Sequence, residues 1–232
     1  MKHELRNRRA TFVSVMVVCL VIPFIYSLSN QATTPEPIDS TNVTSEPLAI
    51  TQLDLLEIKG RAPKTDYARE QFGDGWSSIA GCDTRNIILH RDLIDDVIDE
   101  DCNVLSGVLD DPYTGKVINF TRGSDTSSDV QIDHVVALSD AWQKGAQKLS
   151  KDERITLAND PLELLAVDGP SNQQKSDGDA ATWLPPNKAF RCQYIARQIA
   201  IKVKYRLWVT QSEHEVMRSI LSACPDQKTP TR

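Results

Sequence analysis

The sequence lacks a long apolar run. Phe12 to Tyr26 carries no charge and is mostly apolar, but it falls short of the about 20 residues a helix needs to cross a bilayer. With the basic residues before it, it matches the n-region and h-region of a secretory signal. Residues 1–31 are therefore read as a signal peptide, with an uncleaved membrane anchor as the alternative. Either way the domain leaves the cytoplasm. Residues 32–47 lack apolar content and are rich in Thr, Ser and Pro, the composition of a disordered linker. No internal repeat is present, so the remainder, 48–228, reads as one domain of common size.

A surplus of positive charge is also missing. The formal net charge is -6. Without residues 1–32 the balance is 22 basic against 31 acidic, or -9. Tight nucleic-acid binding draws most of its affinity from phosphate neutralisation, so the sum argues against it. Its distribution argues the other way. From Ala180 to Ser212 there is no Asp or Glu, while Lys188, Arg191, Arg197, Lys202, Lys204 and Arg206 all fall there. That stretch is the candidate for contact with a nucleic-acid backbone.

Cysteine is scarce but even-numbered outside the leader. Cys19 lies in the apolar run, and Cys82, Cys102, Cys192 and Cys224 lie in the exported part, where disulfides persist. Four cysteines allow three pairings. Proximity along the chain favours Cys82–Cys102 and Cys192–Cys224.

What is present reads as α+β. Apolar spacing predicts a helix over Leu48–Ile58, another from a Thr84 cap through Ile87–Ile98, and a long one over Phe190–Val209. Thr210-Gln-Ser-Glu213 has capping-box spacing and opens a last helix. Two β-like runs, Cys102–Leu109 and Lys116–Phe120, flank a Pro/Gly turn and predict a hairpin. Tyr67–Trp76, with Phe72-Gly-Asp-Gly75, reads as a turn. Trp142, Trp183 and Trp208 read as core.

The chain is organised around Gln131–Pro186. Its first apolar run, Val130–Leu138, is interrupted by Asp133-His134; its second is Leu162–Val167. A strand that spends its interior on Asp-His breaks its own pattern, as happens where function overrides folding. Asp133 and the amide of Asn172 are hard donors suited to Mg²⁺ or Mn²⁺. A neutral His134 beside that metal takes a proton from water, and Lys175 or Arg85 steadies the non-bridging oxygens. Neighbouring strand residues point to opposite faces, so Asp133 and His134 serve one site only if the strand ends or bends there; a bend is expected. The bland readings are a core histidine, a helix-capping Asn172 with Ser171 as rival cap, a surface Lys175, and an Arg85 paired with a neighbouring Asp. His3, His90 and His214 have no supporting context.

Asp133-His-Val-Val-Ala-Leu138, then Asn159-Asp-Pro-Leu-Glu-Leu-Leu-Ala-Val167, then Asn172-Gln-Gln-Lys-Ser-Asp177, resembles the HNH (ββα-metal) nuclease motif. The form is that of the GmrSD restriction endonuclease C-terminal domain and related small exported bacterial HNH proteins. Cys82-Asp-Thr-Arg-Asn86, Asp111-Pro-Tyr-Thr-Gly115 and Trp183-Leu-Pro-Pro186 extend the resemblance. It implies a ββα-metal core wrapped by helices, with His134 as general base and Asp133 and Asn172 as ligands of a divalent ion. Lys175 matches the lysine three residues after the last ligand. The implied activity is endonucleolytic hydrolysis of DNA or RNA with low sequence specificity. One position departs: the family has Asn nine residues before the last ligand, bracing the loop that presents the base, and this chain has Glu163. An ionised Glu accepts hydrogen bonds but donates none. Either the brace is altered at Glu163, or Asn159 substitutes for it. The rival reading is a non-catalytic extracellular binding module on the same fold.

Overall fold

The computed structural model describes residues 46–231; the expected leader at 1–31 and most of the expected linker at 32–47 lie outside the described residues. A short helix, α1 (Ala49–Leu53), comes first. The helix expected to run on to Ile58 stops there, because Ile58 instead makes a parallel bridge to Val209. Arg69–Phe72 forms a 3-10 turn. A small hairpin comes next, β1 (Ser78–Ile79) with β2 (Cys82–Asp83).

Helix α2 spans Thr84–Asp92. Its N-cap is Asp83, whose carboxylate accepts from the Asn86 N–H at 2.7 Å. The expected continuation to Ile98 is corrected. The backbone turns extended at Leu93, and β3 (Ile94–Ile98) pairs antiparallel with β4 (Val104–Asp110). Residues 94, 97 and 98 fit helical spacing, but all three are β-branched and find a partner strand. β4 and β5 (Val117–Thr121) form the expected hairpin.

The two runs of the central stretch become β6 (Val130–His134) and β7 (Leu164–Asp168). They pair antiparallel from Val130–Asp168 to His134–Leu164. Helices α3 (Leu138–Gln143) and α4 (Lys151–Ala158) occupy the connection. Helix α5 (Gly169–Lys175) continues directly from β7 and packs on both strands, completing a ββα unit. Helices α6 (Arg191–Lys204) and α7 (Gln211–Leu221) finish the domain, α7 behind the expected Thr210–Glu213 capping box.

The β6–β7 pair is buried on both faces, which is why Leu164–Val167 is apolar throughout. Leu164 and Ala166 join Val130 and Ile132 in one apolar cluster with α2 and β4. Leu165 and Val167 face the larger cluster built on α3, α6 and α7, where Trp142 packs as expected. Gly169 is needed at the β7–α5 junction: a Cβ there would sit 2.1 Å from the Ser128 carbonyl oxygen. That tight turn aims α5 back over β6.

Both disulfides form as expected, Cys82–Cys102 and Cys192–Cys224. Beneath α3 lies a buried charge cluster. Lys144 reaches Asp140 at 2.8 Å, Asp179 at 2.7 Å and Glu213 at 2.6 Å. Lys202 reaches Glu213 at 3.0 Å, and Arg61 reaches Asp140 at 3.0 Å and Asp179 at 2.8 Å. Three cations balance three carboxylates, the condition under which such burial is tolerated. Lys202 belongs to the acid-free stretch, as do Lys204, paired with Asp160 at 2.6 Å, and Arg206, paired with Glu153 at 2.6 Å. Acids from elsewhere in the chain meet these three cations, whereas Lys188, Arg191 and Arg197 pair with no carboxylate among the described residues. Among the described residues no helix is long and apolar enough to cross a membrane.

Candidate active site

A cleft of about 610 Å³ opens between the 3-10 turn, the start of α2, the end of β6 and α5; Arg69, Arg85, Asp133, His134, Ser139 and Asn172 are among its walls. β6 ends at His134, and the backbone bends at Val135–Val136. The bend expected at Asp133-His134 comes after both residues, which stay in regular register with Leu165 and Leu164, so it does not turn the two side chains to one side. Glu163 holds it: its carbonyl accepts from the Val135 N–H at 2.9 Å and its Oε2 from the Val136 N–H at 3.2 Å. Glu163 therefore occupies the brace position with backbone and side chain together.

His134 is 7% exposed. Its Nε2 lies 3.0 Å from the carbonyl oxygen of Ala158. A carbonyl only accepts, so Nε2 carries the proton, and Nδ1 is the lone-pair nitrogen of a neutral ring. The ring stacks on Trp76, with centroids 5.7 Å apart and planes 8° apart. Burial lowers the imidazole pKa to about 3, with the charges of Arg69 and Lys175 acting in the same sense and the Ala158 carbonyl against it. The ring is thus neutral at any physiological pH, the state a general base requires.

Asp133 borders the cleft, but its carboxylate turns to the opposite face of β6 from the imidazole, as neighbours on a strand do. It is 4% exposed. Its Oδ1 binds the Lys175 ammonium at 2.9 Å, and its Oδ2 accepts from the Tyr113 hydroxyl. Burial raises its pKa, opposed by Lys175 and Tyr113. The Lys175 ammonium also donates to the His134 carbonyl oxygen at 2.8 Å and is 2% exposed. Lys175, expected on the non-bridging oxygens, is instead buried behind the site and locks the end of β6 to α5. Asn172 does sit over β6, where its Nδ2 donates to Gln131 Oε1 at 3.0 Å, leaving Oδ1 without a hydrogen bond among the described residues. The helix cap that competed for it is neither Asn172 nor Ser171 but Asp168, which accepts from the Ser171 N–H.

The expected ligand pair therefore does not fit a divalent ion as it stands. Asn172 keeps a free oxygen, but both oxygens of Asp133 are engaged, one by a resident cation. Among the described residues no three His, Cys, Asp or Glu side chains gather as a metal site.

Arg85 lies on the cleft wall, half-buried, with its guanidinium 5.9 Å over the Phe120 ring. It does not pair with Asp83, whose carboxylate caps α2. Burial, then Arg122, lowers its pKa from the usual arginine value. Asn159 does not replace Glu163. Its Oδ1 accepts from the Ser77 N–H at 2.8 Å, which pins the segment carrying Trp76. Sequence reasoning missed Trp76, Arg69 and Tyr113 as site residues. Each reaches the site through tertiary contact, and the only local sign was the Phe72–Gly75 turn beside two of them.

The family described as GmrSD restriction endonucleases, C-terminal domain, matches residues 83–220. A protein of Arthroderma benhamiae named "Uncharacterized secreted protein" is 35% identical over 195 residues, covering 82% of this chain and 92% of that protein.

Proposed function

The chain belongs to the GmrSD restriction endonuclease C-terminal domain family, and on that premise we propose that it is an exported endonuclease hydrolysing phosphodiester bonds of DNA or RNA with low sequence specificity. The observation that supports this most is the state of His134: neutral, buried, stacked and held by Ala158, with its lone-pair nitrogen on a ring that lines the cleft. That nitrogen takes a proton from water, and the hydroxide attacks phosphorus as the bond to the leaving oxygen breaks. Arg85 steadies the non-bridging oxygens. Lys175 and Asp133, buried together, hold the strand end that carries the base. The secreted name of the relative and the signal-like start of the sequence support an extracellular location.

HNH-type domains generally use a divalent ion. Because Lys175 already neutralises Asp133, the test is run with Mg²⁺, with Mn²⁺ and with a chelator. The full chain is expected to nick supercoiled plasmid, and His134→Ala to slow nicking by roughly 10²–10⁴-fold. Equal nicking by His134→Ala overturns the assignment of the base. The second reading is a binding module on the same fold, favoured by the occupied Asp133 carboxylate. It is supported if nucleic acid is bound but left uncut in every arm.

A further inference from the structure

We propose that Arg69 is a substrate-binding residue that grips the phosphodiester backbone together with Arg85, the two guanidiniums forming a clamp around the scissile phosphate and its neighbour. Arg69 lies ahead of the family-matched region, which begins at residue 83. The proposal rests on the nuclease reading and extends it to a segment that reading did not use.

Arg69 is exposed, lines the same cleft as Arg85 and His134, and pairs with no carboxylate among the described residues. The domain has acid to spare, and other exposed arginines use it. Arg91 holds Asp92, Arg206 holds Glu153, and Arg218 holds Asp54. Arg61 holds Asp140 and Asp179. Lys64, on the same cleft wall, is within 3.3 Å of Asp177. Two arginines left without carboxylates on one cleft are placed to receive an anion from outside. Phosphodiester oxygens fit, since the planar guanidinium donates in pairs to phosphate.

The backbone turn that carries Arg69 is anchored, as the support of a binding cation should be. Phe72, 2% exposed, anchors its 3-10 turn in the core. Arg154 clamps the same turn through the Gln71 carbonyl oxygen at 2.9 Å and Gln71 Oε1 at 3.1 Å. The far end of the segment is fixed by Trp76 against His134 and by Ser77 against Asn159. The cation and the base are thus referenced to one another through a short stretch of chain.

The test uses the full chain. Binding of a fluorescent DNA duplex is measured by anisotropy across a salt series in the His134→Ala background, and cleavage is measured with His134 intact. Arg69→Ala and Arg69→Lys are compared with Lys116→Ala, an exposed lysine outside the cleft. Thermal unfolding of each variant checks that it folds. Arg69→Ala is expected to weaken binding about tenfold and reduce the slope of log affinity against log salt by about 1. KM is expected to rise by more than kcat falls. Arg69→Lys should recover part of the affinity, and should fold even if the alanine variant does not. Duplex bound and cut by the parent, with Arg69 variants unchanged, overturns this proposal alone. Duplex bound but never cut sinks the nuclease reading, yet weakening by Arg69→Ala still supports the clamp. No binding by the parent overturns both.

Discussion

The imidazole of His134 lies almost parallel to the indole of Trp76, 5.7 Å between centroids and 8° between planes. The indole covers one face of the ring and keeps water from it. It also fixes the ring plane while Ala158 fixes its edge. A base held at two points needs little reorganisation before it takes a proton.

This arrangement gives a pH prediction. The pH dependence of kcat/KM reports the free enzyme's base. With the pKa of His134 lowered to about 3, kcat/KM should be flat on the acid side between about pH 5 and 8, with no limb near the ordinary histidine value. Trp76→Ala should wet the ring, bring an acid limb up toward about 6.5, and slow cleavage roughly 10- to 100-fold. Stability should track the same titration. The folded pKa lies below the unfolded one, so this group's contribution is whole above about pH 6.5 and is lost as pH falls toward the folded value. An acid limb near 6.5 in the parent protein would show that the ring is solvated and the stack unimportant.

Glu163 titrates in the opposite sense. It is fully buried, and burial raises its pKa well above the usual carboxyl value, with Val136 N–H and Lys175 opposing and Asp133 and Asp160 assisting. The carboxyl is therefore protonated where the unfolded chain would ionise. Its contribution to stability is whole below about pH 4.5 and is lost as pH rises toward the folded value, at about 1.4 kcal/mol per pH unit while only the unfolded state ionises. Glu163→Gln keeps an oxygen for the Val136 N–H and cannot ionise. It should remove this slope and gain stability at pH 7 relative to pH 5, measured by urea unfolding at both. A neutral Glu acts here much as the expected Asn would, so cleavage by Glu163→Gln should stay within about threefold of the parent. An unaltered slope in the variant would mean Glu163 is ionised in the native protein.

Patterns carried by neighbouring residues were legible in the sequence, and patterns completed by distant ones were not. Leu164–Val167 announced a strand buried on two faces, and Thr210–Glu213 announced a helix start, because both signals lie within a few residues. The disulfides were legible because each spans a short, mostly local segment. Leu93–Ile98 was misread because its spacing fits two periods, and only β4 decides between them. Three cations of the acid-free stretch were hidden in the same way: Lys202 meets Glu213 on the next helix, Lys204 meets Asp160 on a remote loop, and Arg206 meets Glu153. At the site, the motif marked His134 at the strand end and position 163 opposite it, but not that Glu163 itself would hold the following loop while Asn159 holds Ser77. That Lys175 turns inward was not legible, because its partner is 42 residues away and on the far face of the strand from the base.

That inward turn makes the last prediction. Among the described residues Lys175 is the only charged donor on Asp133, with Tyr113 on the other oxygen. Lys175→Met keeps the stem and removes the charge, leaving a buried carboxylate half satisfied and the His134 carbonyl without its donor. Breaking a buried pair from one side costs about 3–5 kcal/mol, since the surviving charge stays desolvated. Part of that cost is avoided if Asp133 takes up a proton, so the loss should be smaller at pH 5 than at pH 8. The substitution also frees Asp133 Oδ1, and Asp133 and Asn172 line the same cleft. A ligand that binds only the native form raises the unfolding temperature. Mg²⁺ or Mn²⁺ should therefore stabilise Lys175→Met by more than it stabilises the parent, read as thermal shifts across a metal titration. If the parent responds as strongly, Lys175 does not compete with a metal for Asp133. If neither responds, Asp133 and Asn172 are not placed to share an ion even when both are free.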